Sequence, residues 1–304
     1  MKKLIILFFL LLLAIDTYPY EPEKAGFSVS ILGEVNSYNI YSVFVLPNTD
    51  FNITSDSNIR LISGEAEIFK IESKNWRVVA PSKPGGYSLT ILNSLNNEIH
   101  LNVLVITPIS EKKGEYLNGY RIGNYPLSSP QSNPIYHRPK GFFEVTQENQ
   151  DMLLTPHFTL GQFLCKQTSD FPKYLILRER LLLKLEYLLE KVNSNGYNIE
   201  TFSFISGFRT PYYNKVIRNV SKSRHIYGGA ADIYIDQDHD GYMDDLNYDG
   251  ITDEKDVRIF YDLVEGEFGK SSYDRFKGGL GFYKKNDVHN GFIHIDVRGW
   301  RARW

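Results

Sequence analysis

Alternating apolar and polar residues dominate the first third of the chain. Leu101, Val103 and Val105 alternate with Asn102 and Leu104, and Leu89 and Ile91 alternate with Ser88 and Thr90. Clusters of Asn, Ser, Pro and Gly separate these runs. Short alternating runs divided by turn residues predict an all-β, sandwich-like domain over residues 27–106. The predicted strands lie at 41–46, 59–61, 67–71, 76–79, 87–91 and 101–105.

A proline-rich segment follows at residues 107–141. It holds five of the 13 prolines in the chain and has no hydrophobic period. Proline-rich stretches without periodicity are typical of loops and connections. We therefore predict a linker that drapes over the next domain.

The pattern becomes mixed from residue 142 to residue 304. Asp170 and Pro172 predict a helix start, and the leucine-rich run 175–192 predicts a long, mostly buried helix. Shorter helices are predicted at 211–220 and 253–268. Strands are predicted at 199–205, 230–235, 280–283 and 292–297. These elements favour an α+β domain with a central antiparallel sheet.

The first 20 residues have the composition of a signal peptide or an N-terminal anchor. Two lysines precede an apolar run at residues 4–15, which is too short to span a bilayer by itself. We expect export to the periplasm or cell envelope, with membrane contact only through this segment if it is not cleaved.

Composition narrows the classes of protein further. The chain has 304 residues, enough for about two domains, and its 42% hydrophobic content excludes a mainly disordered protein. The single cysteine, Cys165, excludes internal disulfides and cysteine-cluster metal sites, and we expect it to be buried.

Acidic residues are concentrated between residues 236 and 256. This stretch has nine acids and one lysine, a net charge of −8, whereas the whole chain carries −2. Such a local charge favours bound cations and gives no reason to expect a nucleic-acid partner.

The spacing of these acids matches two overlapping EF-hand-like calcium loops, with oxygen ligands at alternate positions and glycine at position six. Their predicted ligands are Asp236, Asp238, Asp240, the Tyr242 carbonyl and Asp244 in the first loop, and Asp245, Asn247, Asp249, the Ile251 carbonyl, Asp253 and Asp256 in the second. The second loop matches better, because it has an acid at position twelve. We expect one or two structural calcium ions.

Two histidines and an aspartate form a separate candidate site. His225 precedes Asp232 by seven residues, and His294 lies in a later apolar strand with Asp296 on the same face. Two imidazoles and one carboxylate would leave a fourth zinc position open, which is typical of a catalytic site that activates water. The alternative is that these are ordinary, hydrogen-bonded core histidines.

The surrounding motifs resemble peptidase family M15, the zinc D-Ala-D-Ala carboxypeptidases and their peptidoglycan-hydrolase relatives. The matching pieces lie between Phe158 and the C-terminus, in the order found in the family. They are SGFRTPYYN at 206–214, SRHIYGGAADI at 223–233, GGLGFY at 278–283 and FIHIDVRG at 292–299. The resemblance implies zinc ligation by His225, Asp232 and His294, and the small α+β fold shared with the Hedgehog signalling domain.

The general base is less clearly marked. Several relatives carry an acid three residues before the last zinc histidine, where this chain has Gly291. Asp296 is the first candidate, either as the base or as a partner that supports His294. It could instead pair with Arg298 or Arg301. His289 and Asp287 are the other candidates.

Two further residues are candidates for substrate binding. Arg209 follows a predicted strand, and a guanidinium can hold a substrate carboxylate with two hydrogen bonds. In a catalytic role it could instead stabilise the negative charge that develops on the scissile carbonyl. A surface salt bridge is the alternative. Ser223 is expected either to hydrogen-bond substrate or to cap a turn.

Taken together, these features predict an exported zinc metallopeptidase that hydrolyses D-Ala-D-Ala-type amide bonds in peptidoglycan peptides, as a carboxypeptidase or an endopeptidase. The alternative is a non-catalytic cell-wall-binding module stabilised by zinc and calcium. Attachment to a scaffold through dockerin-like loops is weaker, because the loops lie inside the zinc-site domain.

Overall fold

The computed structural model describes residues 20–129 and 133–304. The predicted signal peptide or anchor, apart from Tyr20, lies outside the described residues. About 35% of the structure is strand and 19% is helix, which confirms a mixed, mostly-β chain of the α+β class. None of the helices it contains is long and apolar enough to cross a bilayer.

Two sheets account for the first part of the structure. One has the order β2-β1-β4-β7-β6 and the other has the order β3-β9-β8-β5. Inward-facing positions alternate along strands such as β1, so apolar side chains of both sheets enter the hydrophobic core. The strands are β1 Lys24–Ile31, β2 Glu34–Tyr38, β3 Ile40–Val45, β4 Asp50–Ser55, β5 Ile59–Ser63, β6 Glu67–Glu72, β7 Asn75–Val79, β8 Gly85–Asn93 and β9 Glu98–Val105.

The proline-rich segment is packed against the second half of the chain. It contains the short strands β10 Thr107–Pro108, β11 Tyr116–Leu117 and β12 Tyr120–Arg121. The Leu117 and Ile122 side chains are fully buried. The Tyr125 hydroxyl donates to the Ile226 carbonyl at 2.7 Å. The segment therefore covers the element that carries His225.

A five-stranded sheet, with the order β17-β18-β20-β19-β21, forms the centre of the second half. Its neighbouring strands are antiparallel except for the β19–β21 pair. The strands of this half are β13 Gly141–Val145, β14 Leu153–Thr155, β15 Phe158–Thr159, β16 Lys173–Leu175, β17 Ser203–Ser206, β18 Ala230–Tyr234, β19 Gly279–Tyr283, β20 Phe292–Asp296 and β21 Ala302–Arg303. The helices are α1 Glu179–Ser194, α2 Pro211–Val216 and α3 Glu254–Glu265.

The long helix begins later than the sequence predicts. Asp170 and Pro172 do not start it, because the next residues form β16, which pairs with β13. Helix α1 starts at Glu179 instead. Helix α2 likewise ends at Val216, four residues earlier than expected.

Helix α1 connects the two halves. Its leucines are buried on several faces, as predicted, and burying one such side chain stabilises the fold by roughly 1.5–3 kcal/mol. At its start, the Glu179 carboxylate accepts a hydrogen bond of 3.0 Å from the Phe44 backbone N–H. At its centre, the buried Lys184 ammonium donates to the Asp296 carbonyl at 2.8 Å. The helix therefore supports the end of β20, beside the candidate site.

Candidate metal centre

Strand pairing brings Asp232 and His294 together. Strands β18 and β20 run antiparallel with these two residues directly opposite each other. Opposed residues project their side chains from the same face of a sheet. On the other side of His294 the opposed residue is Gly281, where a Cβ atom would lie 2.5 Å from Trp304 Nε1. The missing side chain leaves room for the Trp304 ring, whose centroid is 5.1 Å from that of His294.

A sharp turn brings His225 to the same face. His225 lies in a 3-10 helix, Arg224–Tyr227, that ends at Gly228 with φ of 67°. A Cβ atom at Gly228 would lie 2.2 Å from the Ile176 carbonyl oxygen. Both the left-handed backbone and the close approach therefore require glycine. The chain then turns directly into β18, which carries Asp232.

The three side chains direct one atom each towards a common centre. His225 Nε2 lies 3.2 Å from Asp232 Oδ1 and 3.2 Å from His294 Nδ1. His294 Nδ1 lies 2.8 Å from Asp232 Oδ1. All three residues are buried. Two histidine nitrogens and one carboxylate oxygen at these separations could hold a metal ion.

A backbone carbonyl sets the tautomer of His225. His225 Nδ1 lies 2.7 Å from the Gly207 carbonyl oxygen, which can only accept a hydrogen bond. The Nδ1 atom must therefore carry the proton, and the Nε2 lone pair faces the centre. A hydrogen bond of this kind on the far nitrogen is typical of metal-binding histidines.

Asp296 contacts the ring nitrogen of His294 that faces away from the centre. Its Oδ2 atom lies 3.3 Å from His294 Nε2, on the ring edge away from the centre. Its carboxylate also accepts from the Gly279 backbone N–H at 2.8 Å and from Arg298 Nη2 at 2.5 Å. The residue is fully buried. This arrangement favours the supporting role of Asp296 over the base role, while Arg301 pairs with Glu265 instead.

The pKa shifts of His225 and Asp232 favour the protonation states that metal ligands need, whereas that of His294 favours its protonated form. Burial lowers the pKa of His225, which favours neutral imidazole. Burial alone would raise the pKa of Asp232, but the adjacent His225 and His294 outweigh it and hold that pKa well below its usual range. Burial lowers the pKa of His294, yet its hydrogen bonds to Asp232 and Asp296 raise it overall. An ionised carboxylate and imidazole lone pairs are what a divalent ion binds.

Arg209 contacts a predicted ligand, which sequence reasoning did not anticipate. Its Nη2 atom pairs with Asp232 Oδ2, and its Nε–H donates to Ser206 Oγ at 2.7 Å. The guanidinium is buried and also lines the cavity in front of the centre. It therefore fixes the second oxygen of the Asp232 carboxylate, and the alternative of a surface salt bridge does not apply.

The centre opens into a cavity of about 770 Å³. Ser223 lines it, and its side chain makes no capping bond to the adjacent 3-10 helix. Among the described lining residues Asp232 is the one acid, whereas the cations are Arg209, Lys222, Arg224 and Arg298. Lys222, Arg224 and the lining residue Trp304 were not predicted from the sequence. Arg224 stands inside the motif at 223–233 but was given no role, whereas Lys222 and Trp304 lie outside the quoted motifs.

Of the other two base candidates, His289 lines this cavity and Asp287 does not. His289 lines it, with Nδ1 2.7 Å from the Asn290 carbonyl oxygen and Nε2 2.9 Å from Asn286 Nδ2. Asp287 lines the neighbouring cavity instead. A side chain at position 291 has no room, because a Cβ atom there would lie 2.2 Å from Val257 Cγ2.

The first acidic loop forms a second metal-capable cluster. Carboxylate oxygens of Asp236, Asp238 and Asp244 lie within 4.8 Å of one another. Asp236 Oδ2 accepts from Ser203 Oγ at 3.0 Å, while its buried Oδ1 has no partner. Asp240 is not part of the cluster and accepts from the Tyr242 backbone N–H at 2.7 Å.

The second acidic loop is held by hydrogen bonds instead. The Asp256 carboxylate accepts from the backbone N–H groups of Leu246, at 2.9 Å, and Asp253, at 2.7 Å, as part of the capping box of α3. Lys255 pairs with Asp249. No three acids of this loop form a cluster in the described part of the chain. The structure thus favours the first loop, contrary to the expectation from position twelve.

Comparisons with known proteins add little to this geometry. No protein-family model and no curated protein matches the chain. Among solved structures, it has a likeness to domains 4 and 5 of the S-layer protein SbsC, with 16% identity over 26% of this chain and a TM-score of 0.20. The match spans about half the length of that structure, and a likeness of this size carries no argument.

Proposed function

We propose that this protein is an exported zinc metallopeptidase that hydrolyses D-Ala-D-Ala-type amide bonds in peptidoglycan peptides. One observation carries the proposal: His225, Asp232 and His294 direct three ligand atoms to one buried centre that opens into a large cavity. The motifs around these residues resemble those of peptidase family M15. The central antiparallel sheet, with ligands on adjacent strands, also supports the small α+β fold shared with the Hedgehog signalling domain.

A zinc ion held by these ligands would supply an electrophilic centre with an open position for water. The protein's contribution is to hold the ligands in place. Arg209 binds the outer oxygen of Asp232, and Asp296 binds the outer nitrogen of His294. Pre-organised ligands need no rearrangement when the substrate arrives.

The cavity lining suits a peptide with a carboxylate. Lys222 supplies positive charge on the wall, whereas Arg209 is already paired with Asp232 and Arg298 with Asp296. We assign the substrate carboxylate to Lys222, whose ammonium is not engaged in an ion pair among the described residues. The Ser223 hydroxyl, free of a capping bond, can donate to a substrate carbonyl.

We assign the uptake of a proton to His289. Gly291 offers no acid, and Asp296 is enclosed behind His294. The His289 ring lines the cavity, and its Nδ1–H donates to the Asn290 carbonyl, so Nε2 is the basic nitrogen. Nε2 would exchange its contact with Asn286 for the attacking water.

The first acidic loop is the proposed calcium site. Asp236, Asp238 and Asp244 offer hard carboxylate oxygens, which suit calcium better than zinc. The imidazoles of the first site favour zinc instead. One ion in the first loop is the arrangement that the described carboxylates support.

A non-catalytic, wall-binding module is the second candidate. The observation in its favour is Gly291, where neither an acid nor any other side chain fits. In that case the zinc site would be structural, and binding of cell-wall peptides would occur without turnover.

Digestion of a D-Ala-D-Ala-ended pentapeptide and of purified peptidoglycan, followed by mass spectrometry, tests both candidates. We expect products that disappear with a zinc chelator and return with added zinc. His294→Ala should abolish them, whereas His100→Ala, which changes a half-exposed histidine on β9, should not. Zinc-loaded protein that binds the wall without any product would support the second candidate and contradict the first.

A further inference from the structure

The acidic loop touches the segment that carries the proposed base. The Gly241 carbonyl oxygen, at the tip of the loop, accepts a hydrogen bond of 2.8 Å from Asn290 Nδ2. The same oxygen accepts from the Tyr234 hydroxyl at 3.1 Å. Tyr234 is the last residue of β18, which carries Asp232. One carbonyl of the loop thus joins the strand of a metal ligand to the segment 284–290.

The segment 284–290 continues this connection to the cavity. The Asn290 backbone carbonyl accepts from His289 Nδ1–H at 2.7 Å. The His289 ring lies edge-on to Phe292 of β20, with centroids 4.9 Å apart. Both His289 and Phe292 line the cavity in front of the zinc site. A change in the position of Gly241 therefore reaches the cavity wall through two consecutive hydrogen bonds.

The loop itself has the features of a cation site. Three carboxylates with oxygens within 4.8 Å of one another repel unless a cation lies among them. Asp236 is only 4% exposed, and its Oδ1 atom is buried without a hydrogen-bond partner. Buried carboxylate oxygens in native proteins are normally paired, so this one points to a ligand. The Asp244 backbone N–H donates to the Ile235 carbonyl at 3.0 Å, which anchors the far end of the loop to the residue that follows β18.

We propose that a calcium ion bound by Asp236, Asp238 and Asp244 positions the segment 284–290 and, through it, His289 in the wall of the cavity. With the ion in place, the loop holds the Gly241 carbonyl where Asn290 can reach it. Without the ion, the carboxylates separate, the contact to Asn290 weakens and His289 loses its position. Calcium and a ligand in the cavity then raise each other's affinity, because linkage between two sites is reciprocal.

Hydrogen exchange of the full-length protein, with and without calcium, tests the coupling directly. Calcium should slow amide exchange in 284–290 by about fivefold or more, the lower end of typical coupling. Asp238→Asn removes a ligand and should abolish the effect. Asn290→Ala should keep calcium binding but lose the protection of 284–290. Asp151→Asn changes an exposed carboxylate outside both the cluster and the segment 284–290, and it should behave as the wild type.

Terbium luminescence measures ion binding independently of exchange, because Tyr242 in the loop can sensitise a bound lanthanide. Calcium should displace terbium from the wild type and from Asn290→Ala, and terbium should bind Asp238→Asn weakly. Protection confined to 236–244, or unchanged protection of 284–290 in Asn290→Ala, would overturn the coupling. Absence of terbium and calcium binding would overturn the site itself.

The catalytic consequence of the coupling rests on the proposed function, but the exchange experiment does not. If calcium protects 284–290 and the protein hydrolyses nothing, the coupling stands and the peptidase proposal fails. If hydrolysis proceeds with the same kcat/KM with and without calcium and 284–290 is not protected, the peptidase proposal stands and the coupling fails.

Discussion

Replacement of Asp296 by asparagine tests how this buried carboxylate acts on the metal centre. In the wild type its Oδ2 atom lies 3.3 Å from His294 Nε2 and is held by Arg298 at 2.5 Å. The pKa of Asp296 is far below its usual range, because its bonds to His294 and Arg298 outweigh the opposing effect of burial. Asp296→Asn keeps the shape but removes this negative charge.

The size of the effect follows from the supporting role. Loss of the partner behind a metal-binding histidine typically lowers metal affinity by about 10–100-fold. This corresponds to about 1.4–2.7 kcal/mol of binding free energy. We therefore expect the zinc Kd of Asp296→Asn to rise by about one to two orders of magnitude.

Competition with a chromophoric zinc chelator measures this Kd, and circular dichroism checks that the variant is folded. Asp151→Asn is the matched control, because Asp151 is exposed and lies outside the metal-capable clusters of the described residues. A folded Asp296→Asn variant with the wild-type zinc Kd but without hydrolysis would refute the supporting role. It would assign Asp296 to proton transfer instead.

Two further predictions concern stability. Gly228→Ala should lower the free energy of unfolding by about 2–4 kcal/mol in urea titrations. The alanine would be strained in the left-handed backbone conformation, and its Cβ atom would also clash with the Ile176 carbonyl. Gly196→Ala should lower the free energy of unfolding by about 1–2 kcal/mol, from backbone strain alone, since nothing lies within 4 Å of its Cβ position. Equal losses of stability in the two variants would contradict the predicted clash at Gly228. Burial lowers the pKa of His157, but its 2.8 Å bond to Glu186 outweighs this and raises the pKa overall. The stabilisation of the fold by this pair is therefore complete below pH about 6.5, and it is lost as the pH rises through the folded pKa of His157. The difference in free energy of unfolding between the wild type and His157→Gln should shrink by about 1 kcal/mol from pH 6 to pH 9. A difference that stays constant with pH would contradict this role of His157.

Local patterns predicted the two ligand-bearing strands of the candidate metal centre well. The strands that carry Asp232 and His294 are confirmed within one residue at each end, because their apolar runs lie between clear turn residues. The start of α1 was predicted wrongly, because β16 is defined by its pairing with the distant β13. The hydrophobic pattern within one segment does not reveal which distant strand, here about 30 residues away, it will pair with.

The contacts that hold the candidate metal ligands in place could not be predicted from the sequence. The pairing of Arg209 with Asp232 depends on the turn at Gly207 and on the register of β18, and spacing along the chain shows neither. In the acidic stretch, the alternating acids predicted a cation site, and three of them form a metal-capable cluster. Their spacing could not show that Asp256 is used to cap α3.

Zinc-edge anomalous diffraction from crystals of the protein with bound zinc tests the central claim most directly. The account predicts one anomalous peak within bonding distance of His225 Nε2, Asp232 Oδ1 and His294 Nδ1, with its remaining position facing the cavity. Absence of a peak there would contradict it, as would a zinc ion bound through Asp296 as a fourth protein ligand.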